Sequence, residues 1–181
     1  MPANLSHHLV RWHTPRFCFN PALTMMPAEL KPWLLAQGSL TRQLTQLAGG
    51  QFRVEPLRQC FDRIYLHESQ LMHTQFDQQA WVREVYLYGC EAEPWVKARS
   101  IIPVQSLKGQ GLRLRYLKNR SLGSLLFART TPHCIRQVAL LPEGWTRRSL
   151  YLWHERPLIV QETFLPAFQQ FLVNQASLVL A

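Results

Sequence analysis

Apolar and polar positions change their period twice along the chain, and each change predicts a change of element. Leu30, Trp33, Leu34, Leu40, Leu44 and Leu47 recur at helical spacing, which predicts two short helices at 28–36 and 40–47 packed on a core. Pro27 suits the entry of the first and Gly38 closes it; Ser39 caps the second, which Gly49 and Gly50 stop. From Gln51 the period drops to two. Phe52, Val54 and Leu57 predict a strand, and 60–66 either prolongs it or forms another. WVREVYLY at 81–88 and WVKARSIIP at 95–103 are stronger strands, separated by turn-forming residues at 89–94, and should pair as an antiparallel hairpin. Residues 112–117 and 122–128 read as short helical pieces around the polar loop 118–121. Alternation returns at 135–140, 149–153 and 158–164, with a turn at 154–157 joining the last two. The stretch 167–181 reads as an amphipathic helix and C-terminal extension. The first 25 residues, broken by Pro2, Pro15 and Pro21, read as an irregular arm.

Consecutive hairpins around short helices predict an α+β fold with an antiparallel sheet covered on one face. The 181 residues suit a single domain, 1–181, large enough to bury roughly two-thirds of the surface its unfolded form exposes. No repeat or linker interrupts it.

Composition narrows the class. Hydrophobic residues make up 47% and charged residues 17%, which excludes disordered and collagen-like chains. No apolar run approaches the ~20 residues of a spanning helix, and the start lacks the apolar stretch of a signal peptide, so a cytoplasmic location is expected. Cys18, Cys60, Cys90 and Cys134 are widely spaced and the seven histidines show no zinc-like pattern, so free thiols and no metal are expected. A net charge of +9 attracts anions, whether a small carboxylate, a nucleic acid or an acidic membrane surface.

Two charges stand in apolar strands. Residues two apart in a strand share a face, so Arg83 lies with Trp81, Val85 and Leu87, and Glu162 with Leu158, Val160 and Phe164. Buried charges need a partner. On alternation alone these two are either an ion pair with each other or two contacts of a polar ligand. In LKNRSLGSLLF, 117–127, Gly123 permits close backbone approach, and free amides at a helix start near Leu122 suit a carboxylate; an ordinary loop glycine is the plainer reading. Nucleophile elbows, phosphate loops, dinucleotide glycine motifs and zinc-protease motifs are missing from the sequence. The basic-aromatic run 113–118 lacks a nucleic-acid-binding motif around it, so no nucleic-acid partner is expected.

Taken in order, WLLAQGSLTRQL (33–44), WVREVYL (81–87), EPWVKARSIIPVQSL (93–107), LGSLLF (122–127), TRRSLYL (146–152) and PLIVQETFLPA (157–167) resemble the chorismate pyruvate-lyases, which make 4-hydroxybenzoate for ubiquinone synthesis. The resemblance implies a six-stranded antiparallel sheet, a ligand buried under helical flaps, and no cofactor. It places the family's ligand contacts on Arg83, Glu162, Leu122 with Gly123, and Leu40, where the family has methionine. Arg83 and Glu162 become the expected catalytic residues, with chorismate as substrate, 4-hydroxybenzoate and pyruvate as products, and a monomer that touches membranes at most transiently. A non-catalytic aromatic-acid sensor of the same fold is the alternative, and a basic nucleic-acid module a third.

Overall fold

A computed structural model describes residues 10–15, 24–128 and 132–179; Cys18 and most of the N-terminal arm lie outside them. Six strands form one antiparallel sheet: β1 (Arg53–Arg63), β2 (Gln79–Tyr88), β3 (Pro94–Pro103), β4 (Cys134–Leu141), β5 (Gly144–Trp153) and β6 (Arg156–Phe164), in the order β1-β2-β3-β6-β5-β4. Two three-stranded meanders thus meet where β3 pairs β6. Between them the chain leaves the sheet through 3-10 helices at Val104–Leu107 and Gly109–Tyr116 and helix α4 (Leu122–Leu126). That excursion crosses the covered face and carries one wall of the site.

The other wall comes from α1 (Lys31–Leu35) and α2 (Leu40–Leu47). Helix α1 is shorter than the expected 28–36, because residues 27–31 form a turn in which Pro27 O accepts from Leu30 and Lys31, and Pro32 takes the early helical position. Ser39 caps α2 by accepting from the Arg42 amide at 3.3 Å, and Leu40 and Leu44 face inward. Helix α5 (Pro166–Val179) closes the same side, with the Phe168 and Phe171 rings tilted against the Trp95 ring, 5.3 and 4.5 Å between centroids. Gly89 is where that indole presses on the chain: a Cβ there would lie 2.1 Å from it.

Several elements differ from the sequence reading. Strand β1 is continuous, with a bulge between Pro56 and Arg58 that accommodates a proline with no amide to donate. Residues Leu66–Met72 form helix α3, which the apolar pattern does not announce. It packs Met72 with Ala80, Val82, Ile101 and Ile159 on the sheet face opposite the other helices. Strand β5 begins at Gly144 rather than 149. The β5–β6 turn places His154 and Glu155 at φ 49 and 62, the two left-handed positions of a type I′ hairpin. Among the described residues no helix is long and apolar enough to cross a membrane.

Candidate active site

The antiparallel register lines up two rows on the covered face. One runs Gln59, Arg83, Ser100, Val160, Ser149, Arg136; the next runs Val85, Ala98, Glu162, Arg147, Val138. Arg83 and Glu162 therefore stand two strands and one pleat apart, about 12 Å between Cα atoms for ordinary strand spacings.

Arg83 is 2% exposed. Its Nη2 donates to the carbonyls of Lys118 and Arg120 at 2.7 and 3.0 Å, while its Nε is buried with no hydrogen-bond partner among the described residues. It forms no salt bridge with any described carboxylate. Burial lowers its pKa, as expected of a cation without compensating charge. An interior guanidinium held by two carbonyls keeps donor capacity that an anion could take.

Glu162 is paired, but with Arg147. The Arg147 Nε donates to Glu162 Oε2 at 2.5 Å, and its Nη1 donates to the Trp33 carbonyl at 2.5 Å and the Ala36 carbonyl at 3.4 Å. Arg136, one strand further out, also donates to Ala36 O and reaches Ser149 Oγ at 3.1 Å. Two buried arginines thus fix the segment that leads from α1 into α2 and orient the glutamate beneath it. Of the two readings left open by alternation, an Arg83–Glu162 ion pair is not what forms.

The flaps meet over this face. Ser121 caps α4, accepting from the Ser124 amide at 3.2 Å, and Thr41 Oγ1 donates to Ser121 Oγ at 2.8 Å, joining α2 to α4. A Cβ on Gly123 would sit 3.0 Å from Thr41 Oγ1 and 3.2 Å from Ser39 Oγ, tighter than ordinary contact, so the close approach of the two caps favours glycine. Beneath them Leu40, Thr41, Gly123, Tyr151, Val160 and Glu162 line a cavity of about 30 Å³, room for a water rather than a ring. A ring-sized ligand would fit there only with α2 and α4 further apart. On their outer side, Gln37, Ser39, Arg42 and Ser124 border a groove of about 520 Å³ that shares Gly38, Thr41, Gly123 and Phe127 with the inner cavity. Burial, helped by the nearby Glu162, pushes the Tyr151 hydroxyl up to about 12.

Of the residues expected from the sequence, Leu40, Gly123 and Glu162 meet at the cavity. Arg83 and Leu122 lie on the same covered side, Arg83 tied to the two carbonyls just before α4 and Leu122 packed with Trp81, Leu126 and Tyr151. Arg147, Arg136, Tyr151 and the Thr41–Ser121 contact were not foreseen. Reading β5 from its true start at 144 would have put Arg147 on the face of Trp145, Ser149 and Tyr151.

Comparison with known proteins places the chain in a family. The family model described as chorismate lyase matches residues 16–174. A probable chorismate pyruvate-lyase of Acinetobacter baumannii is 53% identical over 81% of this chain and 87% of its own length. That of Acinetobacter baylyi is 51% identical, over 82% of this chain and 89% of its own. That of Pseudomonas aeruginosa (strain UCBPP-PA14) is 42% identical, over 80% and 88%. Among solved structures, the effector domain of PhnF from Mycobacterium smegmatis aligns with a TM-score of 0.53 and 14% identity, over 74% of this chain and 91% of that one, a likeness of fold alone.

Proposed function

This chain belongs to the chorismate lyase family, and from that premise we propose that it eliminates pyruvate from chorismate to leave 4-hydroxybenzoate, the aromatic acid that feeds ubiquinone synthesis. Arg83 carries the proposal: a buried cation whose only described partners are two carbonyls calls for a carboxylate. In this reading its guanidinium grips the ring carboxylate, with the first-turn amides of Leu40, Leu122 and Gly123 completing the anion site. Glu162, held by Arg147 through Oε2, offers its other oxygen to the ring hydroxyl. Leu40, for the family's methionine, preserves volume over the ring.

The reaction needs no co-reactant, since the two products together contain the atoms of the substrate. The ring carbon bearing the hydroxyl gives its hydrogen to the enolpyruvyl methylene, which becomes pyruvate's methyl group. The neighbouring ring carbon–oxygen bond breaks, its oxygen becomes pyruvate's carbonyl, and the new ring double bond completes the aromatic system. The protein's part is to hold the reactive conformer in a dry site and to stabilise charge as the ether cleaves. The work is done by a monomer in the cytoplasm, without cofactor.

Purified protein incubated with chorismate should release 4-hydroxybenzoate and pyruvate in equal amounts. The fold shared with the PhnF effector domain favours a second reading, a sensor that binds an aromatic acid without converting it. Tight binding of 4-hydroxybenzoate with no product from chorismate would decide for the sensor.

A further inference from the structure

Basic charge is concentrated in one part of the chain. Residues 94–142 contain nine Lys and Arg and no Asp or Glu, while the rest of the chain holds eleven of each. The whole net charge of +9 therefore arises from that stretch. The structure gathers five of its cations, Lys108, Arg113, Arg115, Lys118 and Arg120, on the 3-10 helix Gly109–Tyr116, the residue that precedes it and the loop after it, all exposed. None of the five forms a salt bridge with a described carboxylate.

The same element exposes apolar surface between its charges. Leu112 is 51% and Tyr116 70% exposed, while Leu114 and Leu117, at 0% and 5%, anchor the segment in the core. Arg115 lies 5.2 and 5.1 Å from the Phe61 and Trp81 rings, which braces the element against the sheet. A surface of guanidinium and ammonium groups without described carboxylate partners, interleaved with a leucine and a tyrosine, matches the boundary of a bilayer, where phosphates meet acyl chains. A phosphate backbone alone would leave Leu112 without a partner, so a nucleic acid fits less well.

We propose that residues 108–120 form a docking face for an anionic lipid bilayer. The proposal is independent of the reaction assigned above, though its location has a consequence for it. This segment supplies the Lys118 and Arg120 carbonyls that hold Arg83 and runs directly into α4, so a docked molecule presents the outer side of one flap to the lipid.

Co-sedimentation with vesicles tests the face directly. The protein should bind vesicles of phosphatidylglycerol and phosphatidylcholine at low salt, bind pure phosphatidylcholine at least about tenfold more weakly, and come off at high salt. With each cation near the surface multiplying partition about fivefold, Lys108→Glu with Arg113→Glu should weaken binding by about a hundredfold or more. Leu112→Ser with Tyr116→Ser, which leaves the charge unchanged, should weaken it by about tenfold. Thermal melting of both variants checks that they are folded. Equal binding to the two vesicle types, parental binding by the folded charge-reversed variant, or tighter capture of a single-stranded RNA than of anionic vesicles overturns the proposal.

Discussion

Arg147 offers the most quantitative test of how the site is held. Its side chain is 1% exposed and that of Glu162 12%, and the residue joins strand β5, the site glutamate and the Trp33 carbonyl. Arg147→Met keeps the length of the side chain and removes the charge and its donors, leaving Glu162 without its cation. Breaking a buried pair from one side costs about 3–5 kcal/mol. At roughly 2–4 °C per kcal/mol for a chain of this size, the melting temperature should fall by about 6–20 °C. Adding Glu162→Gln removes the stranded carboxylate, so the double variant should be more stable than Arg147→Met alone, with a coupling of about 1–3 kcal/mol. Equilibrium urea unfolding followed by tryptophan fluorescence, with all four proteins of the cycle, measures this. A loss under about 1 kcal/mol for Arg147→Met, or strict additivity in the cycle, refutes the reasoning.

Two further outcomes follow from the flaps and the cavity. Thr41→Val removes the side-chain bond to Ser121, worth about 1 kcal/mol, so 4-hydroxybenzoate should dissociate about fivefold faster in stopped-flow displacement, with the melting temperature lowered by no more than about 2–4 °C; an unchanged rate means that this contact does not restrain opening. Tyr151 is protonated in the folded protein up to about 12, above the ordinary tyrosine value of about 10. Its stabilising contribution is thus full below about pH 10 and is lost as pH rises toward 12, by roughly 2–3 kcal/mol. Tyr151→Phe should flatten that alkaline decline in urea unfolding, and a profile parallel to the parent's contradicts the assignment.

Part of the sheet was legible because strand-forming residues, bounding turns and the two-residue period of a strand mark its hairpins. The β2–β3 hairpin reads directly from WVREVYLY and WVKARSIIP, and the same parity placed Arg83 and Glu162 on one face, as the register bears out. Helix α3 escaped because its inward residues include Glu68 and Ser69, each 2% exposed, so it has no continuous apolar stripe. The early half of β5 escaped because Arg147 and Arg148 point to opposite faces and both are buried, which erases the polar-out pattern that marks a strand. Local pattern also has no access to a partner across a hairpin or a hundred residues away. The bonds from Arg147 to Glu162 and Trp33, and from Thr41 to Ser121, exist only once the sheet and flaps are assembled.

The central claim, that Arg83 and Glu162 hold opposite ends of one ring-shaped anion, is tested most directly by deleting each end of the ligand against each residue. Calorimetric titration would compare 4-hydroxybenzoate with benzoate, which lacks the hydroxyl, on the parent, Arg83→Met and Glu162→Gln. Charge-assisted bonds contribute about 1.5–3 kcal/mol, so Arg83→Met should weaken both ligands by about tenfold to a hundredfold. Glu162→Gln should weaken 4-hydroxybenzoate alone and bind benzoate as the parent does. If Glu162→Gln weakens the two ligands equally, or Arg83→Met spares either of them, the two residues do not grip opposite ends of one ligand.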